Sequence, residues 1–140
     1  MIRSGRFERL RKFIVAALSD EALTAAAPAR GLDEATAQAV QLFRQRIAAE
    51  FPAKELLVFG SRARGDHRPD SDADVAVLLD GPHRPFLDTK LKMSDVAYDV
   101  LLDTGINISP LPVWMDEWEH PDTYMNPALL ANIAREGVRV

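Results

Sequence analysis

Phe7, Leu10, Ile14 and Leu18 recur at steps of three and four, the stripe of an amphipathic helix, and "AAAPARG" closes it. A second helix is expected from Asp33, a helix-capping residue, with Val40, Phe43 and Ile47 on one face and an end near Phe51-Pro52. "ELLVFG" is a short apolar run of strand-forming residues broken by Gly60, and "ADVAVLLD" is a second such run ended by "GPHRP". Between them lies the polar connection "SRARGDHRPDSD". From Phe86 to about Asp103, the positions Leu87, Leu91, Tyr98 and Leu101 predict a long helix with Tyr98 in the core, closed by Gly105. "INISPLPVW" is a third strand, which Pro110 and Pro112 confine to a sheet edge or a short run. After an irregular "WEHPDTYMNP", Asn126 and Pro127 cap a final helix, "NPALLANIARE", that stops at Gly137. The order of elements predicts an α/β (α+β) fold, a small mixed β-sheet flanked by helices near Val40 and Leu91. Residues 1–30 are expected to be a helical extension and residues 31–140 the main domain.

Composition narrows the functional classes. At 140 residues the chain matches one domain with one core. Its 47% apolar and 27% charged residues are ordinary for a folded domain. A formal charge of -4 argues against general nucleic-acid coating, which needs a basic surface to displace counterions from phosphates. The absence of cysteine excludes thiolate catalysis, disulfides and Cys-based zinc sites. "FIVAAL" and "LLVFG" are too short to cross a bilayer. The basic, partly apolar start has the outline of a signal peptide, but Glu8, Lys12, Asp20 and Glu21 interrupt it, so the cytoplasm is the expected compartment.

The chemistry concentrates in "LLVFGSRARGDHRPDSDADVAVLL". Gly60 permits a sharp turn and lets a phosphate approach main-chain N–H groups. Ser61 adds a hydroxyl donor, at a place where a helical turn would offer free N–H groups to an anion. Asp72 and Asp74 are two apart on a strand, so both face one way and can converge on one cation. That donor set suits Mg²⁺, which commonly takes one or two carboxylates with phosphate and water oxygens. Arg62 and Arg64, nearer the glycine turn than Arg68, could neutralise phosphate charge. Gly-Ser followed at a fixed distance by Asp-x-Asp arises by chance in roughly one chain in several hundred; its placement on two apolar strands is the stronger signal.

"VFGSRARGDHRPDSDADVAVLL" resembles the core motif of the minimal nucleotidyltransferases of the DNA polymerase β superfamily, especially antitoxin-type members paired with HEPN-domain ribonuclease toxins. The specific match spans about residues 55 to 80. The resemblance implies that Gly60 and Ser61 hold a nucleoside triphosphate, that Asp72 and Asp74 bind Mg²⁺, and that a nucleoside monophosphate, AMP from ATP, passes to a hydroxyl with release of pyrophosphate. It also implies a HEPN-type toxin as the acceptor and partner, with a small molecule or an RNA end as the variant. Many members carry a third carboxylate on a later strand. Here the corresponding stretch is "GINISPLPV", which puts Asn107 or Ser109 in that place, and neither can serve as an ionised general base. The rival expectation is therefore a catalytically weakened module that binds a partner.

Other residues carry less. His67, His83 and His120 lack paired helical spacing for zinc, although His67 could line the cleft. Trp114, Trp118 and Tyr124 read as packing. Asp99 and Asp103 read as solvated helix residues, and Arg3, Arg6, Arg9, Arg11 and Lys12 as a solvated basic face.

Overall fold

The computed structural model describes residues 31–140, so the expected helical extension over 1–30 lies outside the described residues. Helix α1 (Glu34–Ile47) starts where expected: the Thr36 N–H donates to Asp33 Oδ1 at 2.6 Å, satisfying one of the first-turn donors that a helix leaves unpaired. Strand β1 (Ala53–Phe59) follows, then the one-turn helix α2 (Ser61–Arg64) and strand β2 (Ala73–Leu79). The long helix α3 (Phe86–Thr104) connects β2 to β3 (Ile108–Trp114). The chain continues through α4 (Met115–Glu119), a 3₁₀ turn (Pro121–Thr123), α5 (Pro127–Glu136) and the two-residue strand β4 (Val138–Arg139).

The four strands lie in the order β3-β2-β1-β4. β1 pairs antiparallel with β2 and β4, whereas β2 and β3 run parallel, the arrangement a crossover through a helix requires. The fold is the small mixed sheet with flanking helices that the pattern predicts. The prolines of β3 do confine it to an edge, yet the strand runs seven residues. Ser109, Leu111 and Val113 alternate with the prolines, which turn their carbonyls outward, where Lys90 Nζ donates to Pro110 O at 2.7 Å and the Tyr124 hydroxyl to Pro112 O at 3.3 Å. Side chains thus cover an edge that would otherwise present unpaired backbone. Burial pushes the Tyr124 phenol up to about 12, which keeps it a donor at neutral pH.

The sheet is buried on both faces. Leu56, Val58, Val75, Val77, Leu79 and Ile108 pack with Val40, Phe43 and Ile47 of α1 and with Met93, Ala97 and Val100 of α3. Leu57, Ala76, Leu78 and Val113 pack on the opposite face with Tyr124, Leu130 and Ile133. Burying such side chains at about 25 cal/mol per Å² of apolar area is the main force joining the layers.

Helix α3 corrects the expected core. Its buried stripe is Thr89, Met93, Ala97 and Val100, whereas Leu87, Leu91, Tyr98 and Leu102 are 65%, 57%, 58% and 65% exposed. The helix carries apolar residues on two faces, and the sheet takes the narrower, smaller side chains. Tyr98 is therefore a surface residue, and the helix meets the sheet through Met93 rather than Leu91. Gly105, at φ 80°, ends the helix as expected, its N–H bonded to Leu101 O.

Candidate nucleotide and metal site

Asp74 shares its side of β2 with Ala76 and Leu78, by the alternation of a strand, and so faces the α5 layer. Along that row burial falls from Ala76, fully covered, through half-buried Asp74 to exposed Asp72, which stands one residue before the strand. The two carboxylates thus occupy the rim where the α5 layer gives way to solvent. Burial is the main cause that holds the Asp74 carboxyl above the usual range, and the negative charge of Asp72 adds to it; Lys90 and Arg64 pull the other way.

β1 delivers Gly60 to the same place, because Phe59 pairs with Asp74. Gly60 takes φ 76° and ψ -155°, a conformation that side-chain-bearing residues seldom adopt. A Cβ built there would overlap Asp74 Oδ2 and stand 3.4 Å from Asp74 Cγ. The glycine therefore serves the carboxylate directly as well as the turn. Ser61 follows as the first residue of α2 and is half-buried.

The two arginines separate. Arg64 is exposed on the site side, ion-paired with Asp66 at 3.2 Å and Glu136 at 3.6 Å, and its charge is felt by Asp74. Arg62 is 3% exposed. Its Nε donates to Ser71 O at 2.9 Å, and its terminal nitrogens donate to Thr36 Oγ1 at 2.8 Å and Pro69 O at 3.0 Å. That guanidinium is committed to tying the 66–71 loop and α1 to α2, so the expected phosphate contact through Arg62 is replaced by a structural one. The fork of five donors is what suits arginine to three acceptors on different segments.

At the anticipated third position, Ser109 lies directly beside Asp74 in the parallel register. Asn107 precedes β3 and accepts the Ala73 N–H through its backbone carbonyl at 2.9 Å. The two residues at that position therefore carry a hydroxyl and an amide, and neither supplies a carboxylate. Among the described residues no group of three or more His, Cys, Asp or Glu is gathered that could hold a metal ion. Lys90 was not singled out in the sequence. It reaches from α3 around the β3 edge and brings a cation within electrostatic reach of Asp74. The only signal for it was a helix crossing from β2 to a parallel neighbour, which must pass that edge.

The histidines lie elsewhere. His67 Nε2 meets Asp33 Oδ2 at 2.8 Å and lines a cavity with Arg62, Thr104 and Gly105, away from the carboxylate rim. His83 stacks on buried Trp114 with ring centroids 5.3 Å apart and contacts Asp116 at 2.6 Å. Trp118 and Tyr124 pack in the α5 layer, as expected of them.

Two half-buried or exposed carboxylates, adjacent on one face, have no hydrogen bond or ion pair among the described residues. Like charges held together without a partner suit a hard divalent cation. The donor set fits Mg²⁺: Asp72 and Asp74 would hold it, with phosphate and water oxygens completing its coordination.

Residues 40–111 match the family profile described as "Nucleotidyltransferase domain", half of the chain and all of the carboxylate site. Among solved structures, a protein from Sulfolobus solfataricus, described as a provisional nucleotidyltransferase, is similar at 22% identity and a TM-score of 0.40, over 65% of this chain and 84% of that one. None of the curated proteins compared matches.

Proposed function

Because this chain belongs to the nucleotidyltransferase domain family, whose members generally use a nucleoside triphosphate and a divalent metal, we propose that it transfers AMP from ATP to a hydroxyl group on a protein. The acceptor in this reading is a HEPN-type toxin that the modification silences. The observation that supports it best is the Asp72–Asp74 pair, without a hydrogen-bond or ion-pair partner among the described residues, set against Gly60 and Ser61.

The chain's own groups divide the work. Ser61 offers its hydroxyl, and the first N–H groups of α2 their partial positive charge, to the triphosphate. Arg64 and Lys90 place positive charge beside the carboxylates and the incoming phosphates. Asp72 and Asp74 would hold the metal, which when bound would supply charge stabilisation to the phosphates. The acceptor oxygen forms the new bond to the α-phosphorus, the bond from that phosphorus to the bridging oxygen breaks, and pyrophosphate leaves with the electron pair. Ser109 cannot take the acceptor's proton as an ionised base, so the proton passes to solvent and turnover is slow.

That same serine favours one second reading: a weakened enzyme whose nucleotide site serves partner binding. The test incubates the protein with α-labelled ATP, Mg²⁺ and a HEPN-domain protein. Label on the protein acceptor supports the transferase; a stable complex without label, unchanged by Asp72→Ala/Asp74→Ala, supports the binding module.

A further inference from the structure

Helix α3 presents a second apolar face, opposite the one on the sheet: Leu87, Leu91, Tyr98 and Leu102 share one side of the helix and are all more than half exposed. They form most of the large exposed hydrophobics among the described residues, Met125 being the other. Asp88, Asp95 and Asp99 run alongside them, with Lys92 paired to Asp88 at 3.5 Å. An apolar stripe with an acidic flank, about 22 Å long at 1.5 Å per residue, marks a docking surface for something apolar and basic.

We propose that the occupant is the chain's own segment from Arg3 to Leu18. Its sequence is the complement: Phe7, Leu10, Ile14 and Leu18 recur at helical steps, and Arg3, Arg6, Arg9, Arg11 and Lys12 supply the positive charge. In a helix, Phe7 to Leu18 would span about 17 Å, within the length of the α3 stripe. The chain also enters the described body at a suitable place. Asp33 and Ala35, just after its start, line one cavity with Thr104 and Gly105 at the C-terminal end of α3. Residues 19–30 can extend roughly 40 Å, enough to lay the segment along the helix in either direction. A second copy fits less well, because two α3 faces brought together would oppose their aspartate rows. The segment would thus shield an apolar face, with salt-sensitive ion pairs along one side.

The absence of cysteine makes a direct test simple. In the full chain, Ile14→Cys is paired in turn with Leu87→Cys, Leu91→Cys, Tyr98→Cys and Leu102→Cys, with Ile14→Cys/Lys54→Cys as control. Under dilute mild oxidation, at least one α3 pair is expected to close a disulfide within a single chain at least ten times faster than the control. Adding Asp95→Lys and Asp99→Lys should slow that closure severalfold at low salt and little at high salt. Circular dichroism verifies that each variant remains folded. Disulfides that form only between chains, or α3 pairs no faster than the control, would overturn the assignment.

Discussion

The Asp74 carboxylate fills the space where a side chain on Gly60 would begin, with its Cγ 3.4 Å from the position of that absent Cβ. The glycine turn and the carboxylate are therefore one device. Gly60→Ala should cost about 1–3 kcal/mol for a backbone conformation that is essentially restricted to glycine, plus the displacement of Asp74, and should abolish transfer. Thermal unfolding of Gly60→Ala in wild-type and Asp74→Ala backgrounds checks it. The two substitutions should be non-additive, with Gly60→Ala costing less once the carboxylate is gone.

Asp74 itself is held against its own stability. Burial and the Asp72 charge both raise its pKa, so folding disfavours its ionised form relative to the unfolded chain. Above that raised pKa the ionised group costs stability, and the cost is relieved as pH falls through it and the folded state takes up its proton first. Asp74→Asn should therefore raise the melting temperature at neutral pH while eliminating transfer, and its stability advantage should shrink toward acid pH.

Arg62 should behave as a structural residue. Arg62→Ala leaves Thr36 and the Ser71 and Pro69 carbonyls without their donor, and an abandoned buried acceptor costs about 1–3 kcal/mol. Chemical denaturation should show a loss of about that size or larger, with Arg62→Lys recovering little, because an ammonium cannot span three segments. Arg64→Ala should leave stability nearly unchanged and weaken nucleotide binding, read as a raised KM for ATP.

The α1 cap supplies a pH signature. Thr36 and then His67 hold the Asp33 carboxyl below its usual value. A depressed carboxylate contributes stability above its unfolded pKa, near 3.8, and loses that contribution as pH falls through the lower folded value. Asp33→Ala should cost about 1 kcal/mol at pH 7. The difference from wild type should fade below about pH 4, as unfolding curves across pH would show.

Much of this was legible in the residues. The runs around Leu57 and Val77 were apolar without alternation, as strands covered on both faces must be, and Gly60 with Asp72 and Asp74 marked the rim between them. Asp33, Gly105 and Asn126 announced helix ends through the chemistry of unpaired backbone groups. Periodicity could not decide which apolar face of α3 turns inward, because Leu91 and Met93 belong to stripes of similar strength; the sheet selects between them. Two residues apart on one helical turn, Arg62 and Arg64 must face opposite ways, but the sequence alone could not say that Arg62 is the one turned into the body. The β4 pairing of Val138 with Val58 was too short to signal itself. Lys90 became visible only when the crossover laid its helix beside the β3 edge.

The measurement that bears most directly on the site is manganese binding, followed by electron paramagnetic resonance, in the presence of a non-hydrolysable ATP analogue. Wild-type protein should hold Mn²⁺ with the nucleotide. The Asp72→Asn/Asp74→Asn variant, folded by circular dichroism, should bind it at least tenfold more weakly than wild type. Equal Mn²⁺ binding by both proteins would contradict the assignment of this carboxylate pair as the metal site.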